Sequence, residues 1–276
     1  MLKQAQLDLF ATDHADRLLD DVSPRHLAGP GDARHVTHAL ATAGWTARSD
    51  PLAPGVHLVG PDRFHQLRHE QQPGSERSAW RLNGSHADGS WYASFGPVPA
   101  EILAGFTDGL LIPAPAVVPP VWGVLADAGW THTLRTTGGE ALSPDGTVRI
   151  EHRPICSEVD EALAWTIEVR PAPDHGPTIW TAWIAHSPPL HMIHGLVTAL
   201  IDPNPLQRNW QEHDGHYSAL RTESSVSPQA YVQAHRDRID TIHAQVRAAR
   251  RQAKKALTTS PTPHPPVPSA PVRQAR

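Results

Sequence analysis

Several short segments of the chain alternate between hydrophobic and polar residues with the period of a β-strand. In the second half, Thr147–His152, Trp165–Val169 and Ile179–Ile184 alternate in this way. In the first half, Ala79–Leu82 and Trp91–Phe95 flank an Asp-Gly pair that suits a hairpin. The pattern predicts an antiparallel sheet of about three or four strands in each half of the chain.

Helical patterns bracket each group of strands. The predicted helices that open and close the two groups are, in chain order, 33–43, 99–111, 119–128 and 188–201. Gly44 and Gly129 stand where a C-terminal cap would end the opening helices, and Pro113 and Pro203 stop the closing helices. Each closing helix is expected to cover the apolar face of its sheet.

The landmarks of the first half recur in the second half in the same order. Leu40–Thr46 and Leu125–Thr131 share the motif Ala-Gly-Trp-Thr, and Trp91–Phe95 matches Trp180–Ile184. Asp62 and His69 are matched in the same way by Asp145 and His152. Three tryptophans of the first half have counterparts in the second half: Trp45, Trp80 and Trp91, then Trp130, Trp165 and Trp180. An unbroken order of landmarks predicts an internal duplication whose two copies pack as a pseudo-symmetric pair.

The predicted fold class is therefore α+β, with two tandem modules that each run helix, antiparallel sheet, helix. The expected organisation is an N-terminal extension, a first repeat, a second repeat, a linker, a basic helix and a disordered tail: 1–21, 22–115, 116–205, 206–226, 227–257 and 258–276. The tail is expected to be disordered because it is rich in proline, serine and threonine.

Composition limits the compartment and the chemistry. The single cysteine, Cys156, excludes an internal disulfide and a cysteine-based zinc site, and it fits a reducing cytoplasm. Met1–Phe10 lacks the apolar segment of a signal peptide. No run of about eighteen apolar residues is long enough to cross a membrane. We therefore expect a cytoplasmic protein with no membrane partner.

Charge is distributed unevenly along the chain. Residues 227–276 hold nine Lys/Arg and two acidic residues, a net charge of +7, whereas the remainder has a net charge of −11. A dense cluster, which we call the basic helix end, consists of Arg247, Arg250, Arg251, Lys254 and Lys255. It predicts either a sequence-independent contact with nucleic-acid phosphates or a solvated helix end whose charge suits the helix dipole.

The predicted basic helix begins at Ser227-Pro228, a favourable N-cap and first-turn pair. Small or apolar residues then recur at steps of three and four: Val232, Ile239, Ile242, Val246, Ala249, Ala253 and Ala256. Such a seam fits packing on the protein's own repeats, and it also fits a dimer interface.

Several segments resemble an actinobacterial family known as domain of unknown function 317. The resemblance is carried by Val22–Asp32, by the two Ala-Gly-Trp motifs and by Ser143-Pro144-Asp145-Gly146, and it covers about residues 22–205. The first copy departs from the motif, with Gly60-Pro61-Asp62-Arg63 in place of Ser-Pro-Asp-Gly. The resemblance implies tandem cytoplasmic domains that are often associated with mobile elements, and it implies no catalytic residues.

Candidate catalytic and metal-binding residues are sparse. Histidines lie close together in three places: His65 with His69, His186 with His191 and His194, and His213 with His216. A zinc site needs three or four converging ligands, and no acidic partner lies at a diagnostic spacing, so no metal or other cofactor is predicted. No nucleophile elbow and no phosphate-binding glycine loop occurs, and no base is placed to activate Cys156. No catalytic residue is predicted.

The six repeated tryptophans allow two interpretations. As large apolar side chains they would anchor the sheet to its helix. On an open sheet face they would instead form a stacking platform for single-stranded nucleic acid. The net charge of −11 on residues 1–226, which contain the repeats, argues against that platform, because phosphates would be repelled.

Three hypotheses of function follow. The first is a non-catalytic, cytoplasmic tandem-repeat interaction protein whose partner is another protein or a second copy of the chain. The second is a nucleic-acid-binding protein that acts through the basic helix end. The third is an enzyme or a metal protein with its site between the repeats.

Overall fold

The computed structural model describes residues 2–50, 53–70, 80–86, 89–136, 138–154, 163–171, 176–212 and 215–259. Cys156, His213 and the predicted tail beyond Thr259 lie outside these residues. Mixed helices and antiparallel sheets confirm the predicted α+β class.

A ten-stranded antiparallel sheet forms the centre of the molecule. Its first five strands belong to the first repeat: β2 Thr46–Asp50, β3 Ala53–Val59, β4 Gln66–His69, β5 Trp80–His86 and β6 Gly89–Phe95. Its other five belong to the second repeat: β7 Thr131–Arg135, β8 Gly138–Leu142, β9 Val148–Pro154, β10 Leu163–Val169 and β11 Trp180–Ala185. The strand order is β2-β3-β4-β5-β6-β11-β10-β9-β8-β7, so each repeat is a meander and the two meanders join through β6 and β11.

Each repeat thus has five strands where the sequence pattern predicts about three or four. The alternation of hydrophobic and polar residues does not reveal the outer strands, because they lie at the edges of the sheet. All five residues of β7 are exposed, so it has no apolar face and no period of two.

Helices cover one face of the large sheet. The six helices of the described residues are α1 Gln4–His14, α2 Arg34–Thr42, α3 Ala100–Asp108, α4 Val121–Asp127, α5 Leu190–Ile201 and α6 Pro228–Thr259. The bounds of α2 to α5 fall within a few residues of the predicted helices. The sequence pattern misses α1, which buries only Phe10 and His14.

The two closing helices cross at a pair of glycines. Gly105 of α3 and Gly195 of α5 occupy matching places in the two repeats, and a methyl group on either one would overlap the carbonyl oxygen of the other. The two helix backbones therefore touch at the boundary between the repeats. Packed around this contact are the fully buried Ile102, Phe106, Ile193 and Leu196.

A second, smaller sheet consists mainly of residues that the sequence pattern assigns to the N-terminal extension and the linker, together with Val22 and Ser23 of the predicted first repeat. It consists of β1 Leu19–Ser23 between β12 Leu206–Asn209 and β13 Leu220–Glu223, all antiparallel. Arg208 of β12 reaches α3, where its guanidinium binds both carboxylate oxygens of Glu101 at 2.7 and 2.9 Å. This buried ion pair ties the small sheet to the helix layer.

The long helix α6 packs on the chain's own helices α1 and α2. Its buried side chains are Val232, His235, Ile239, Ile242 and Val246. The seam residues Val232, Ile239, Ile242 and Val246 are therefore covered by the chain's own helices, whereas Ala253 further along the seam is exposed. Ser227 caps the helix as predicted, with its hydroxyl accepting a hydrogen bond from the Ala230 N–H at 3.1 Å.

A buried cluster of histidines lies between α1, α2 and α6. Phe10 stacks between His14 and His235, with ring centroids 4.2 and 4.0 Å away. His38 and His235 share one hydrogen bond of 3.1 Å, and His35 binds the Tyr231 hydroxyl at 2.8 Å. Burial lowers the pKa of His38 to about 4 and that of His235 to about 2. The cluster is therefore neutral near pH 7 and holds α6 through apolar stacking.

None of the helices in the described ranges is long and apolar enough to cross a membrane.

The glycine crossing predicts a large effect from a small substitution. Gly105→Ala or Gly195→Ala should lower the free energy of unfolding by about 1–3 kcal/mol, because the new methyl group must push two helix backbones apart. Gly123→Ala in α4 is the matched control, since only Pro120 lies near its new methyl group. That change should be neutral or stabilise by up to about 1 kcal/mol. Urea unfolding of the three variants makes the comparison, and equal effects would contradict the close crossing.

The histidine cluster predicts that stability falls in mild acid. In the unfolded chain a histidine titrates near pH 6.5, whereas the pKa of His38 and of His26 is about 4 in the folded protein. Between these values the unfolded state binds more protons, so the free energy of unfolding should fall as pH drops from 6.5 towards 4. The loss can reach about 1.4 kcal/mol per pH unit for each histidine. The carboxylates of Glu101 and Asp32, whose pKa values are about 2, add their own losses only below about pH 4.5.

Urea unfolding at about pH 7.5 and about pH 5 measures this slope. His235→Leu should flatten it, because one buried neutral histidine is removed. His132→Leu, on the exposed strand β7, is the control. A free energy of unfolding that stays constant between these pH values would contradict the burial of neutral histidines.

Candidate binding face

The face of the ten-stranded sheet that points away from the helices carries no other helix or strand of the described residues. Alternate residues along each strand explain this division. In β5, Trp80 and Leu82 are buried under the helices, whereas Arg81 between them is exposed. In β11, Ala182 and Ile184 are buried in the same way, and Trp183 between them is exposed. We call this second surface the open face.

A row of basic side chains crosses the open face of the first repeat. Arg48 of β2 pairs with His57 of β3, His57 pairs with Arg68 of β4, and Arg68 pairs with Arg81 of β5. Residues that pair directly across antiparallel strands project to the same face, about 5 Å apart. These four residues, which we call the arginine row, therefore stand side by side on four adjacent strands.

The arginine row has little compensating negative charge. Arg81 lies 3.6 Å from the Glu70 carboxylate, and both side chains are well exposed. Among the side chains that the structure describes, which do not include that of Asp50 on β2, no carboxylate lies within ion-pair distance of Arg48 or Arg68. Like charges placed directly opposite each other destabilise a sheet, so this arrangement is one that folding alone does not favour.

An exposed aromatic pair lies where the two repeats meet. The arginine row continues from Arg81 to Ser94 of β6 and then to Trp183 of β11. Trp183 is 38% exposed, and its ring lies 5.8 Å from that of Tyr92 at an angle of 54°. Both rings belong to the open face, because each lies between residues that are buried under the helices. A large apolar surface is therefore presented to solvent at the centre of the sheet.

The second repeat continues the same row with different chemistry. Trp183 pairs with Thr166, Thr166 with Glu151, Glu151 with Glu140, and Glu140 with Thr133. Arg149 neutralises the two glutamates, at 3.0 Å from Glu140 and 2.7 Å from Glu151. Arg153 adds a contact of 3.3 Å to Glu151. This half of the open face is mixed in charge, whereas the first half is basic.

The basic helix end lies beside the outer edge of the sheet. The side chains of Arg247, Arg250, Arg251, Lys254 and Lys255 are all exposed. Arg250 donates a hydrogen bond of 2.7 Å to the carbonyl oxygen of Ala43, in the turn that leads from α2 into β2. The last turns of α6 thus project past α2.

The histidines considered as metal ligands do not converge. His191 donates to the carbonyl oxygen of Gly109 at 2.9 Å, and His194 contacts the Thr198 hydroxyl at 3.5 Å. His65 pairs with Asp62, and His69 stacks on Trp80 with centroids 3.8 Å apart. Within the described ranges, no group of three His, Cys, Asp or Glu residues is placed to hold a metal ion.

The landmarks shared by the two repeats have structural partners. His152 stacks on Trp165 at 4.2 Å, as His69 stacks on Trp80, and both are cross-strand pairs. Asp145 accepts a hydrogen bond from the Thr147 N–H, as Asp62 accepts one from the Phe64 N–H. These aspartates thus shape equivalent turns.

A cleft of about 980 Å³ lies at the contact between the repeats, beside Gly105 and Gly195. Four of its charged residues form two ion pairs, whereas Asp127, which also lines the cleft, is exposed. Asp108 binds Arg238 through both oxygens at 2.7 and 2.8 Å, and Arg25 binds Asp202 at 2.6 Å. Burial raises the pKa of Asp108 even though Arg238 opposes the change. Asp108 and Asp202 are thus engaged with arginines.

All six repeated tryptophans lie in the buried core, each no more than 8% exposed. They serve as anchors between sheet and helices, so they do not supply the stacking platform. The pattern of repeated tryptophans does not single out Trp183. The alignment of the repeats places it opposite Ser94, and a tryptophan at a serine position is a signal in the sequence that could have found it.

The comparisons with known proteins identify the repeated unit. No curated protein and no solved structure matches the chain. One family model matches twice, at residues 59–116 and 142–206, with the description SPDY, domain of unknown function (DUF317). Both matches run from within the meander to a few residues beyond the closing helix. Each repeat is therefore similar to the SPDY domain over these residues.

Proposed function

We propose that this protein is a non-catalytic interaction protein that binds its partner on the open face of the ten-stranded sheet. The observation that carries the proposal is the arginine row on a surface without a helical cover among the described residues. Arg68 and Arg81 pair directly across two strands, and Arg48 stands in the same row beyond His57. Because like charges directly opposite each other cost stability, the proposal assigns this arrangement to the binding of an external group of opposite charge.

A comparison of the two repeats supports a role in binding over a role in folding. Each residue of the arginine row has an equivalent on the corresponding strand of the second repeat, and these equivalents run across the sheet in the opposite order. Thr133 stands where the first repeat has Arg48, Glu151 where it has Arg68, and Thr166 where it has Arg81. The same meander thus folds with threonine or glutamate at these positions.

The paired charges of the cleft between the repeats support a non-catalytic protein. A general acid or base needs a proton that it can exchange with a substrate. Asp108 and Asp202 are engaged by Arg238 and Arg25, and this argues against the cleft as a reaction centre. The third hypothesis, an enzyme or a metal protein, is therefore the least supported.

The basic helix end supports a second candidate function, which is nucleic-acid binding through α6. Its side chains project from the last turns of a helix whose earlier turns are anchored on α1 and α2. A rigid helix that presents several cations can contact successive phosphates without reading the sequence.

The cellular context is part of the proposal. The single cysteine fits a reducing cytoplasm. The SPDY domains agree with a role alongside mobile elements, as the family resemblance implies. A protein partner and self-association are both compatible with an open sheet face.

The proposal predicts that removing the arginine row does not harm folding. Arg48→Thr with Arg81→Thr copies the threonines of the second repeat, and it should raise the free energy of unfolding by about 0.2–1 kcal/mol by relieving repulsion. The gain should shrink at high salt, because ions screen exposed charges. Urea unfolding at two salt concentrations measures both effects.

Trp180→Thr is the contrasting change, because Trp180 lies on the covered face and is 3% exposed. It should lower the free energy of unfolding by about 3–5 kcal/mol. A clear loss of stability in the arginine variant would contradict the proposal, since it would give the row a structural role.

The second candidate function predicts a loss of salt-dependent DNA affinity on neutralising the basic helix end. Arg247, Arg251, Lys254 and Lys255 are changed to serine together, and Arg250 is kept because it bonds to Ala43. Deleting the whole helix would expose the histidine cluster, so substitution is the cleaner design. With duplex DNA, the association constant K should fall. The slope of log K against log salt concentration, which is negative, should become shallower by up to about 3. An unchanged slope would reject this candidate.

A further inference from the structure

We infer that the partner of the open face is single-stranded nucleic acid, with phosphates bound by the arginine row and bases stacked on Trp183 and Tyr92. The inference rests on the proposed function, since it names the ligand of the same surface. Proteins that bind single strands combine a positive track for the backbone with aromatic side chains for the bases. The open face brings these two features together.

The arginine row has the geometry of a track for an extended polyanion. Adjacent strands are about 4.8 Å apart, so the four residues from Arg48 to Arg81 span about 14 Å in a line across the sheet. Three of the four are arginines, whose planar forks bind phosphate oxygens in pairs. Arg81 is 3.6 Å from Glu70, and both side chains are well exposed. The guanidinium groups of the row can therefore bind an anion from outside the protein.

The aromatic pair explains why the anion should carry bases. Trp183 lies two strands beyond Arg81 in the same row, separated only by the small Ser94. Its exposed ring and the ring of Tyr92 offer π-faces at the end of the basic track. Unpaired bases can stack on such rings, whereas the bases of a duplex are already stacked on one another. An acidic peptide would satisfy the arginines but would give the rings no matching partner.

The charge pattern also sets the extent of the site. Beyond Trp183, the row continues to Glu151 and Glu140, whose charges are used by Arg149 and Arg153. That half offers no excess positive charge, so the bound strand should lie on the first repeat and end at the aromatic pair. The net charge of −11 on residues 1–226 does not oppose this, because the three arginines of the row stand together on the open face.

The test is an anisotropy titration of the full-length protein with labelled oligothymidine and oligouridine of about 12 nucleotides, a length within the range that such sites cover. A blunt DNA duplex and an oligoglutamate peptide are measured alongside. The row variant carries Arg48→Thr, Arg68→Thr and Arg81→Thr, and the ring variant is Trp183→Ser, which copies Ser94. Two controls complete the set: Arg153→Thr on the second half of the open face, and the serine variant of the basic helix end. Thermal unfolding by circular dichroism checks that each variant is folded.

The expected result is binding of the single strands in preference to the duplex. In the row variant the slope of log K, the association constant, against log salt concentration should become shallower by about 2, as expected for three lost phosphate contacts. The ring variant should weaken binding by about 5- to 150-fold, which corresponds to about 1–3 kcal/mol per stacked base, and should leave the slope unchanged. The Arg153→Thr control should bind like the parent protein, and the variant of the basic helix end measures any separate contribution of α6.

Other outcomes would overturn the inference. No binding by the parent protein, or duplex bound as tightly as single strands, would reject single-stranded nucleic acid as the ligand. Affinity that is lost only in the variant of the basic helix end would move the site to α6. Oligoglutamate bound through the arginine row without oligonucleotide binding would assign a protein partner. The titrations test the ligand, whereas the unfolding of the arginine variant tests the open face as a binding surface. A failed titration together with a stability gain in that variant would reject single-stranded nucleic acid and keep the open face. A failure of both would reject both proposals.

Discussion

The pairing of β6 with β11 is the contact on which the architecture depends. It turns two five-stranded meanders into one continuous sheet, and it brings α3 over α5 so that Gly105 and Gly195 touch. A repeat on its own would expose one unpaired strand edge and the apolar side of its closing helix. Both are surfaces that associate without specificity. Joining the repeats removes both exposures with a single interface.

The rest of the chain is added to the helix side of this sheet. The small sheet is anchored there through Arg208 and Glu101, and α6 lies over α1 and α2 on the histidine cluster. The large buried residues are therefore concentrated on one side. The opposite side keeps side chains that contribute little to packing, and their chemistry is free to differ between the repeats. That freedom is the reason why the open face, rather than the cleft, is the better supported site.

Much of the fold could be predicted from the sequence, because local patterns encode it. The closing helices, the cap at Ser227 and the repeated tryptophans all depend on neighbours within a few residues. The small sheet could not be predicted, since β12 and β13 are four-residue strands that pair with β1 from far along the chain. The arginine row is hidden for the same reason. Its members become neighbours only through the register of four strands: Arg48, His57, Arg68 and Arg81. The negative net charge of residues 1–226 gives no sign of this basic surface. The role of the basic helix end stays a prediction.

Fusion of the two repeats in one chain has a consequence for how a ligand would be oriented. A dimer of identical domains would present the same row twice, reversed about the twofold axis, and a bound chain could lie in either direction. In the fused protein the equivalent of Arg68 on β4 is Glu151 on β9, five strands away. The surface thus has a distinct beginning and end, and a polymer with two different ends would be held in one direction.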